Sequence, residues 1–280
     1  MKSFPVPTPY TFGSMSLGSS EAVLEHDIRI ARRAMEAGIW FHSSPTYHRG
    51  FTYLVLRMAF DEARSQVPPL IIKIRDARPW LLRFEVEDCL RRLGIDRITV
   101  AQLVQLEPGQ LADDFLSDGP LRAECEALRA EGKVGTFVPY IDPARSESTL
   151  RALEAGCFPG CTFYFNPAQR DVSDPFWAKL ADGTLPVLAL RTLGGAFFRS
   201  PDTGKGTAVA ASLRALLEES GCRDLVELSM RYAWSFPFVK TTIGGTASAE
   251  HLDRFLEVAA SPGPLDPALA DRIAALTGRD

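Results

Sequence analysis

Short apolar runs alternate with longer amphipathic stretches along the whole chain, and that alternation limits its fold more than any other feature. Eight runs have the length and content of strands: Tyr10–Ser16, Ile39–His42, Leu70–Ile74, Ile98–Leu103, Val134–Val138, Thr162–Phe165, Leu185–Leu190 and Val239–Ile243. Helical periodicities lie between them. In Glu21–Ala37, for example, Ala22, Ile28, Ala31, Ala34 and Met35 share one face and leave Arg29, Arg32, Arg33 and Glu36 to solvent. Glycine follows the helical stretches at Gly38, Gly94, Gly132, Gly156 and Gly183, where a left-handed cap is wanted before the next strand.

Near-continuous apolar strands in β–α alternation argue for a parallel sheet buried on both faces. Eight such units in 280 residues predict an α/β fold of the (β/α)8 TIM-barrel kind, with an open doubly wound sheet as the alternative. No low-complexity linker or composition shift divides the chain. A single barrel domain is therefore expected over residues 1–280, with residues 248–280 forming C-terminal helices, Ser248–Ala260 and Pro267–Thr277, packed on its outside. Asp266 before Pro267 reads as an N-cap followed by proline at the first helical position. One long loop, Gly195–Thr207, is expected after the seventh strand.

Composition narrows the partners. Apolar residues make up 46% and charged residues 24%, a globular balance. A formal charge of −4 and a pI of about 5.7 offer no basic footprint for nucleic acid or an anionic membrane. No run reaches the ~18 apolar residues of a membrane span. The opening MKSFPVPTPYTFG lacks the apolar core of a secretory signal. Five widely spaced cysteines do not make a disulfide framework, and Cys157 and Cys161 form a lone C-x3-C without a second ligand pair. They read as structural thiols, and no metal site is expected. These features predict a cytoplasmic protein acting on a small molecule, with no nucleic-acid or membrane partner; the oligomeric state stays open.

In a (β/α)8 barrel the site is built at the C-terminal ends of the strands. That selects His42, Tyr47 and His48 after the second strand, and Lys73, Arg75 and Asp76 at and beyond the end of the third. Val104, Gln105 and Glu107 follow the fourth strand, Tyr140 and Asp142 the fifth, Asn166 and Arg170 the sixth. Arg191, Gly194 and Gly195 follow the seventh, and Gly245, Thr246 and Ser248 the eighth.

Seven segments in order, FGSMSLG, AGIWFHSSPTY, PLIIKI, LRRLGIDRITVAQL, EGKVGTF, FNPAQR and IGGTASAEHLDRF, resemble the aldo-keto reductase superfamily over nearly the whole chain. The resemblance implies an aldo-keto-reductase-type barrel, NADP(H) as cofactor and carbonyl reduction by a tyrosine, lysine, aspartate and histidine. Tyr47 matches the tyrosine and Lys73 the lysine. The aspartate position falls on His42 by its spacing to the tyrosine, or on Ser43 by an ungapped reading, and the histidine position falls on Val104. The family's nicotinamide-binding Ser-Asn pair aligns with Tyr140 and Ile141, its sixth-strand glutamine with Thr162, and its adenine-contacting Glu-Asn with Arg254 and Phe255. Under this resemblance Arg191, Gly194 and Gly195 hold a pyrophosphate, and Gly245, Thr246 and Ser248 meet a 2′-phosphate.

The residues themselves suggest a chemistry. A free phenol with pKa ~10 is a poor acid or base at neutral pH, and an ammonium nearby lowers that value. Burial lowers the pKa of lysine, and without a carboxylate partner nothing opposes the shift, so Lys73 becomes a candidate general base. His42 and His48, two of only four histidines, flank Tyr47 and form a replacement proton relay; the other reading is a solvated His48 and a hydrogen-bonded core His42. Arg75 either joins Asp76 and Arg78 in a surface ion-pair network or anchors an anionic substrate group. Trp40 reads as barrel lining or as a substrate-stacking surface, and Tyr140 fills the space of a nicotinamide.

Three functions follow. One is cofactor-independent acid–base chemistry (isomerisation, elimination or cyclisation) on a small polar carbonyl compound by Tyr47 and Lys73. Another is NADP(H)-dependent carbonyl reduction with an altered proton relay, and the third is a non-catalytic small-molecule-binding pseudoenzyme.

Overall fold

The computed structural model describes residues 4–76, 78–104, 110–170, 172–194 and 204–277. Its strands are β1 (Tyr10–Gly13), β2 (Trp40–Ser43), β3 (Leu70–Ile74), β4 (Ile98–Leu103), β5 (Val134–Pro139), β6 (Cys161–Asn166), β7 (Gln169–Arg170), β8 (Val187–Leu190) and β9 (Val239–Gly244). All eight expected strands are present. The first ends at Gly13 because Ser14–Ser16 wind into a 3-10 turn, closed by Leu17 N donating to Ser14 O at 3.0 Å. The two-residue β7, not expected, folds back antiparallel on the end of β6.

The first helices are α1 (Leu24–Glu36), α2 (Phe51–Glu62), α3 (Pro79–Leu93), α4 (Gln110–Leu116), α5 (Pro120–Ala130) and α6 (Ser146–Glu154). Then come α7 (Asp174–Leu180), α8 (Gly204–Ser220), α9 (Leu225–Trp234), α10 (Ala249–Ala260) and α11 (Pro267–Thr277). At the end of α3, Gly94 takes φ 64° and Ile95 N donates to Leu90 O at 3.1 Å. The left-handed backbone angle selects glycine there. The α11 start forms as expected, with Asp266 Oδ1 accepting from Ala268 N at 3.0 Å and Leu269 N at 3.3 Å. The expected loop Gly195–Thr207 is corrected at its end, where α8 already begins at Gly204. Gly195, Gln105 and Glu107 lie outside the described residues.

The strand order is β5-β4-β3-β2-β1-β9-β8-β6-β7, and every neighbouring pair except β6–β7 is parallel. The far ends of that order return to one another. Tyr140, just past β5, bridges Thr162 of β6 in parallel, and Ile141 N donates to Thr162 O at 2.8 Å. An open doubly wound sheet would hold β5 and β6 apart as edges. This is an α/β fold built on one curled, mostly parallel nine-stranded sheet.

Side chains alternate across the sheet, and curling gives its two faces different company. Phe12, Phe41, Ile72, Ala101 and Phe163 point outward and pack in the large core beneath the helices. Trp40, Ile71, Val100, Val138, Leu188 and Ile243 point inward and fill the interior of the curl. The next inward positions along the strands toward their C-terminal ends include His42, Lys73 and Gln102, so the polar residues sit above this apolar plug. No helix of the described residues is long and apolar enough to cross a membrane.

Candidate active site

At the C-terminal ends of the strands opens a cavity of about 550 Å³, the size of small-ligand sites. His42, Tyr47, Lys73, Tyr164, Arg191 and His251 are the polar side chains that dominate its wall. No Asp or Glu lines it among the described residues.

Strand parity decides which residue after β2 reaches the site. His42 is inward and on the wall, whereas the hydroxyl of Ser43 points away to accept from Ser14 Oγ at 2.8 Å. Of the two residues aligned with the aspartate of the resemblance, His42 is the one on the cavity wall. Beyond β2 the chain turns tightly at Tyr47–Gly50, with His48 at φ 44°, ψ 46° and Arg49 at φ 55°, ψ 27°. Two consecutive non-glycine residues in the left-handed region are strained backbone. The turn that stores this strain is the one that presents Tyr47 to the cavity.

Lys73 Nζ lies 5.3 Å from the centre of the Tyr47 ring. No carboxylate of the described residues pairs with this amine. Burial lowers its pKa first, then the nearby charges of Arg191 and Arg75, to about 8. Tyr47 moves the opposite way from expectation. Burial pushes its pKa well above 10 and the Tyr164 phenol adds to that, against a smaller lowering by Arg191. The phenol therefore keeps its proton across the neutral range.

His42 is a buried imidazole hydrogen-bonded to Gln102, the second of the two expectations for it. Its pKa falls to about 3, through burial and then the Lys73 charge, so the ring is neutral near pH 7. Its Nε2 lies 3.0 Å from Gln102 Oε1; an amide oxygen only accepts, so Nε2 carries the ring proton. Gln102 is fully buried and its Nε2 has no partner among the described residues. Sequence reasoning missed Gln102; the one available signal was an amide at an inward position of an otherwise apolar strand.

Arg191 and Tyr164 share the same wall. The guanidinium lies 4.4 Å from the Tyr164 ring centre, and Asn166 Nδ2 donates to the Arg191 carbonyl at 3.0 Å. Near the glycine-rich end of β9 the backbones of β1 and β9 nearly touch. A Cβ on Gly245 would collide with the carbonyl oxygen of Gly13. Beyond this point the wall is apolar, from Leu225 and Val226 of α9 and Phe255 of α10. Arg254 braces that wall from behind, bonded to Asp224 and Glu227 at 2.7 Å each and to Glu257 at 3.0 Å.

Other expected contacts are not on the wall. Trp40 is packed in the interior plug beneath the cavity, because it is two residues closer to the start of β2 than His42. Tyr140 turns its ring onto Tyr164, 5.4 Å between centres, and leaves the cavity open. His48 is exposed, its Nε2 2.8 Å from Met15 O. Arg75 lies off the wall toward Glu85, whose carboxylate accepts from the Asp76 amide at 2.8 Å, while Arg78 pairs with Asp76 at the surface. Thr246 and Ser248 are engaged locally: Thr246 Oγ1 accepts from Ser248 N at 3.0 Å, and Ser248 Oγ caps α10 by accepting from His251 N at 3.3 Å. Gly245 and Arg191 are on the wall; Gly194 is in the same turn, its amide donating to Arg191 O at 2.8 Å. Neither Cys157 nor Cys161 is in a disulfide, and no group of three or more His, Cys, Asp or Glu among the described residues is placed to hold a metal.

The geometry has counterparts among solved structures. The chain superposes on an aldo-keto reductase of Bacillus halodurans in its holo form with a TM-score of 0.76 and 21% identity, covering 97% of this chain and 92% of that one. A glycerol dehydrogenase of Gluconobacter oxydans gives 0.75 at 17% identity, covering 96% and 91%. An aldo/keto reductase of Klebsiella pneumoniae, solved in complex with NADP and acetate, gives 0.72 at 17% identity, covering 97% and 92%. No protein-family model matches the chain, and no curated protein matches it by sequence. What the chain shares with these reductases is their fold.

Proposed function

We propose that this chain is an enzyme of aldo-keto reductase fold in which Lys73 takes a proton from a small polar carbonyl compound and Tyr47 steadies the charge that results. Isomerisation, elimination or cyclisation then needs no bound cofactor. The reading treats the curled sheet as a closed (β/α)8 barrel, one domain over residues 1–280, with its site at the C-terminal rim. The observation that carries it is Lys73, a cavity-wall amine beside a phenol, close to Arg191 and with no carboxylate partner among the described residues.

Near pH 8 half of such amines are neutral. A neutral Lys73 takes the proton from the carbon next to the carbonyl; the C–H bond breaks, an N–H bond forms, and the electron pair passes to the carbonyl oxygen. Tyr47, still protonated, donates a hydrogen bond to that oxygen as it becomes an enolate. Lys73 then returns the proton to a different carbon, or to a departing group. His42 takes no proton in this scheme; its Nε2–H is spent on Gln102.

A panel of small ketones, aldehydes and oxo acids in deuterium oxide, without nicotinamide, tests the reading. NMR should show deuterium entering beside the carbonyl of at least one compound; Lys73→Met should abolish it and Tyr47→Phe should slow it roughly 10²- to 10⁴-fold. Absence of exchange across the panel, or equal exchange by both variants, removes the proposal.

A second reading, NADP(H)-dependent carbonyl reduction, is favoured by the fold and by the nucleotide in the Klebsiella structure. Arg191 and the bare backbone at Gly244–Gly245 suit a phosphate group. The fit stops there: Tyr140, Ile141 and Thr162, at the positions that would grip a nicotinamide, are all off the cavity wall. NADPH titration followed by nicotinamide fluorescence decides: a Kd tighter than about 10 µM, with NADPH oxidised in the presence of a carbonyl compound, moves the function to reduction.

A further inference from the structure

We infer that Arg191 is the specificity-determining residue of this cavity and that its ligand is a carboxylate, an oxo acid with an apolar body. The part played by the carbonyl rests on the acid–base reading above; the carboxylate clamp rests on the geometry of Arg191.

Arg191 takes φ 55°, a backbone conformation that side-chain-bearing residues avoid. Three contacts over-determine it. Buried Asn166 donates to its carbonyl at 3.0 Å, and Gly194 N donates to the same oxygen at 2.8 Å. Thr192 N, the next residue, donates to Ile243 O of β9 at 3.2 Å. Asn166 is itself fixed, its Oδ1 accepting from Ala168 N at 2.9 Å. This rigid turn holds the guanidinium over the face of Tyr164. A guanidinium stacked in this way keeps its N–H edge free for a planar two-oxygen acceptor, and much of the ordering entropy is already spent before the ligand arrives.

The surroundings supply no such acceptor. Among the described residues no carboxylate pairs with Arg191 and neither Asp nor Glu lines the cavity, so none of them offsets the charges of Arg191 and Lys73. A ligand with one negative group answers that deficit. Leu193, Leu225, Val226, Ile243 and Phe255 give the same wall a broad apolar surface, beside Ser16, His251 and the backbone of Gly244 and Gly245. That apolar surface suits the hydrocarbon body of an oxo acid whose carboxylate meets Arg191.

Calorimetry with 4-methyl-2-oxopentanoate and its amide, on the wild type, Arg191→Met and Arg191→Lys, tests the clamp. The wild type should bind the acid at least about tenfold more tightly than the amide, the worth of one charge-assisted forked contact. Arg191→Met should erase that preference while leaving the amide's affinity within about twofold, and Arg191→Lys should keep part of it. Thermal melts check that both variants are folded. Equal binding of acid and amide by the wild type overturns the inference, as does an Arg191→Met that weakens both alike. Inorganic pyrophosphate is the third probe; Arg191-dependent binding of pyrophosphate without binding of the oxo acid makes the residue a phosphate anchor and also overturns it. The two proposals fail separately. An intact Arg191-dependent preference without deuterium exchange sinks the acid–base reading alone, and exchange without the preference sinks the clamp alone.

Discussion

Lys73 and Tyr47 meet on the cavity wall with the amine 5.3 Å from the phenol ring, and burial moves their pKa values apart, each in the direction that favours its own neutral form. Each group alone would be charged or inert in a predictable way. Together in a site without a carboxylate, the amine is easily deprotonated and the phenol is hard to deprotonate. An uncharged base facing an uncharged donor is the arrangement that carbonyl acid–base chemistry uses.

The pH–rate profile should report the amine. With Lys73 titrating at about 8, kcat/KM for exchange should rise with pH and level off above that value. A profile flat from pH 6 to 9 would mean that another group takes the proton.

Stability carries the same signature with a defined sign. The folded-state pKa of Lys73, about 8, lies below its ordinary 10.5, so between these values the unfolded chain binds more protons. Stability should climb as pH rises through that window, the burden being fully present below pH 8. Lys73→Met should remove it and stabilise the protein at pH 7 by about 1–3 kcal/mol. Urea unfolding at pH 7 and pH 10 measures both.

Tyr47→Phe removes only a donor. The rate of exchange should drop roughly 10²- to 10⁴-fold while the melting temperature changes little. Ultraviolet difference spectra should assign no phenolate signal below pH 10 to Tyr47, in keeping with its raised pKa. A phenolate that forms near neutrality and vanishes in the variant would reverse the roles given to these two residues.

His42 should matter to acid stability and not to the rate profile near pH 6.5. Its folded pKa of about 3 lies below the usual 6.5, so stability should fall as pH drops from 6.5 toward 3. His42→Gln should flatten that limb. Gln102→Leu strands the buried Nε2–H of His42 and should cost about 1–3 kcal/mol. Chemical denaturation at pH 7 and pH 4.5 reads both effects.

Gly245→Ala tests the close approach of β9 to β1. Its methyl would have to displace the Gly13 carbonyl, which is strand backbone, so the variant should lose at least about 1–3 kcal/mol of stability. Wild-type stability in this variant would contradict the packing described.

Much of this was legible in the residues. Period-two and period-3.6 apolar patterns are local properties, and they located the eight parallel strands, most helices and the cap at Asp266. They also put Lys73 near the C-terminal end of β3, where a side chain of a curled parallel sheet meets the site. The two-residue β7 escaped because so short a pairing leaves no periodicity to read.

Tertiary structure decided everything that depends on which residues from distant strands share one volume. The choice of His42 over Ser43 came from strand parity, and the exclusion of Trp40 from the wall came from its depth in the curl. The partnership of His42 with Gln102 joins positions 60 residues apart that no local pattern links. The direction of the Tyr47 shift was beyond the sequence for the same reason. Adjacency to an ammonium argues one way and burial the other, and only the packed structure sets their relative weight. Sequence fixes where a strand runs because that is a sum of nearest-neighbour preferences; it does not fix solvation, which is a property of the whole assembly.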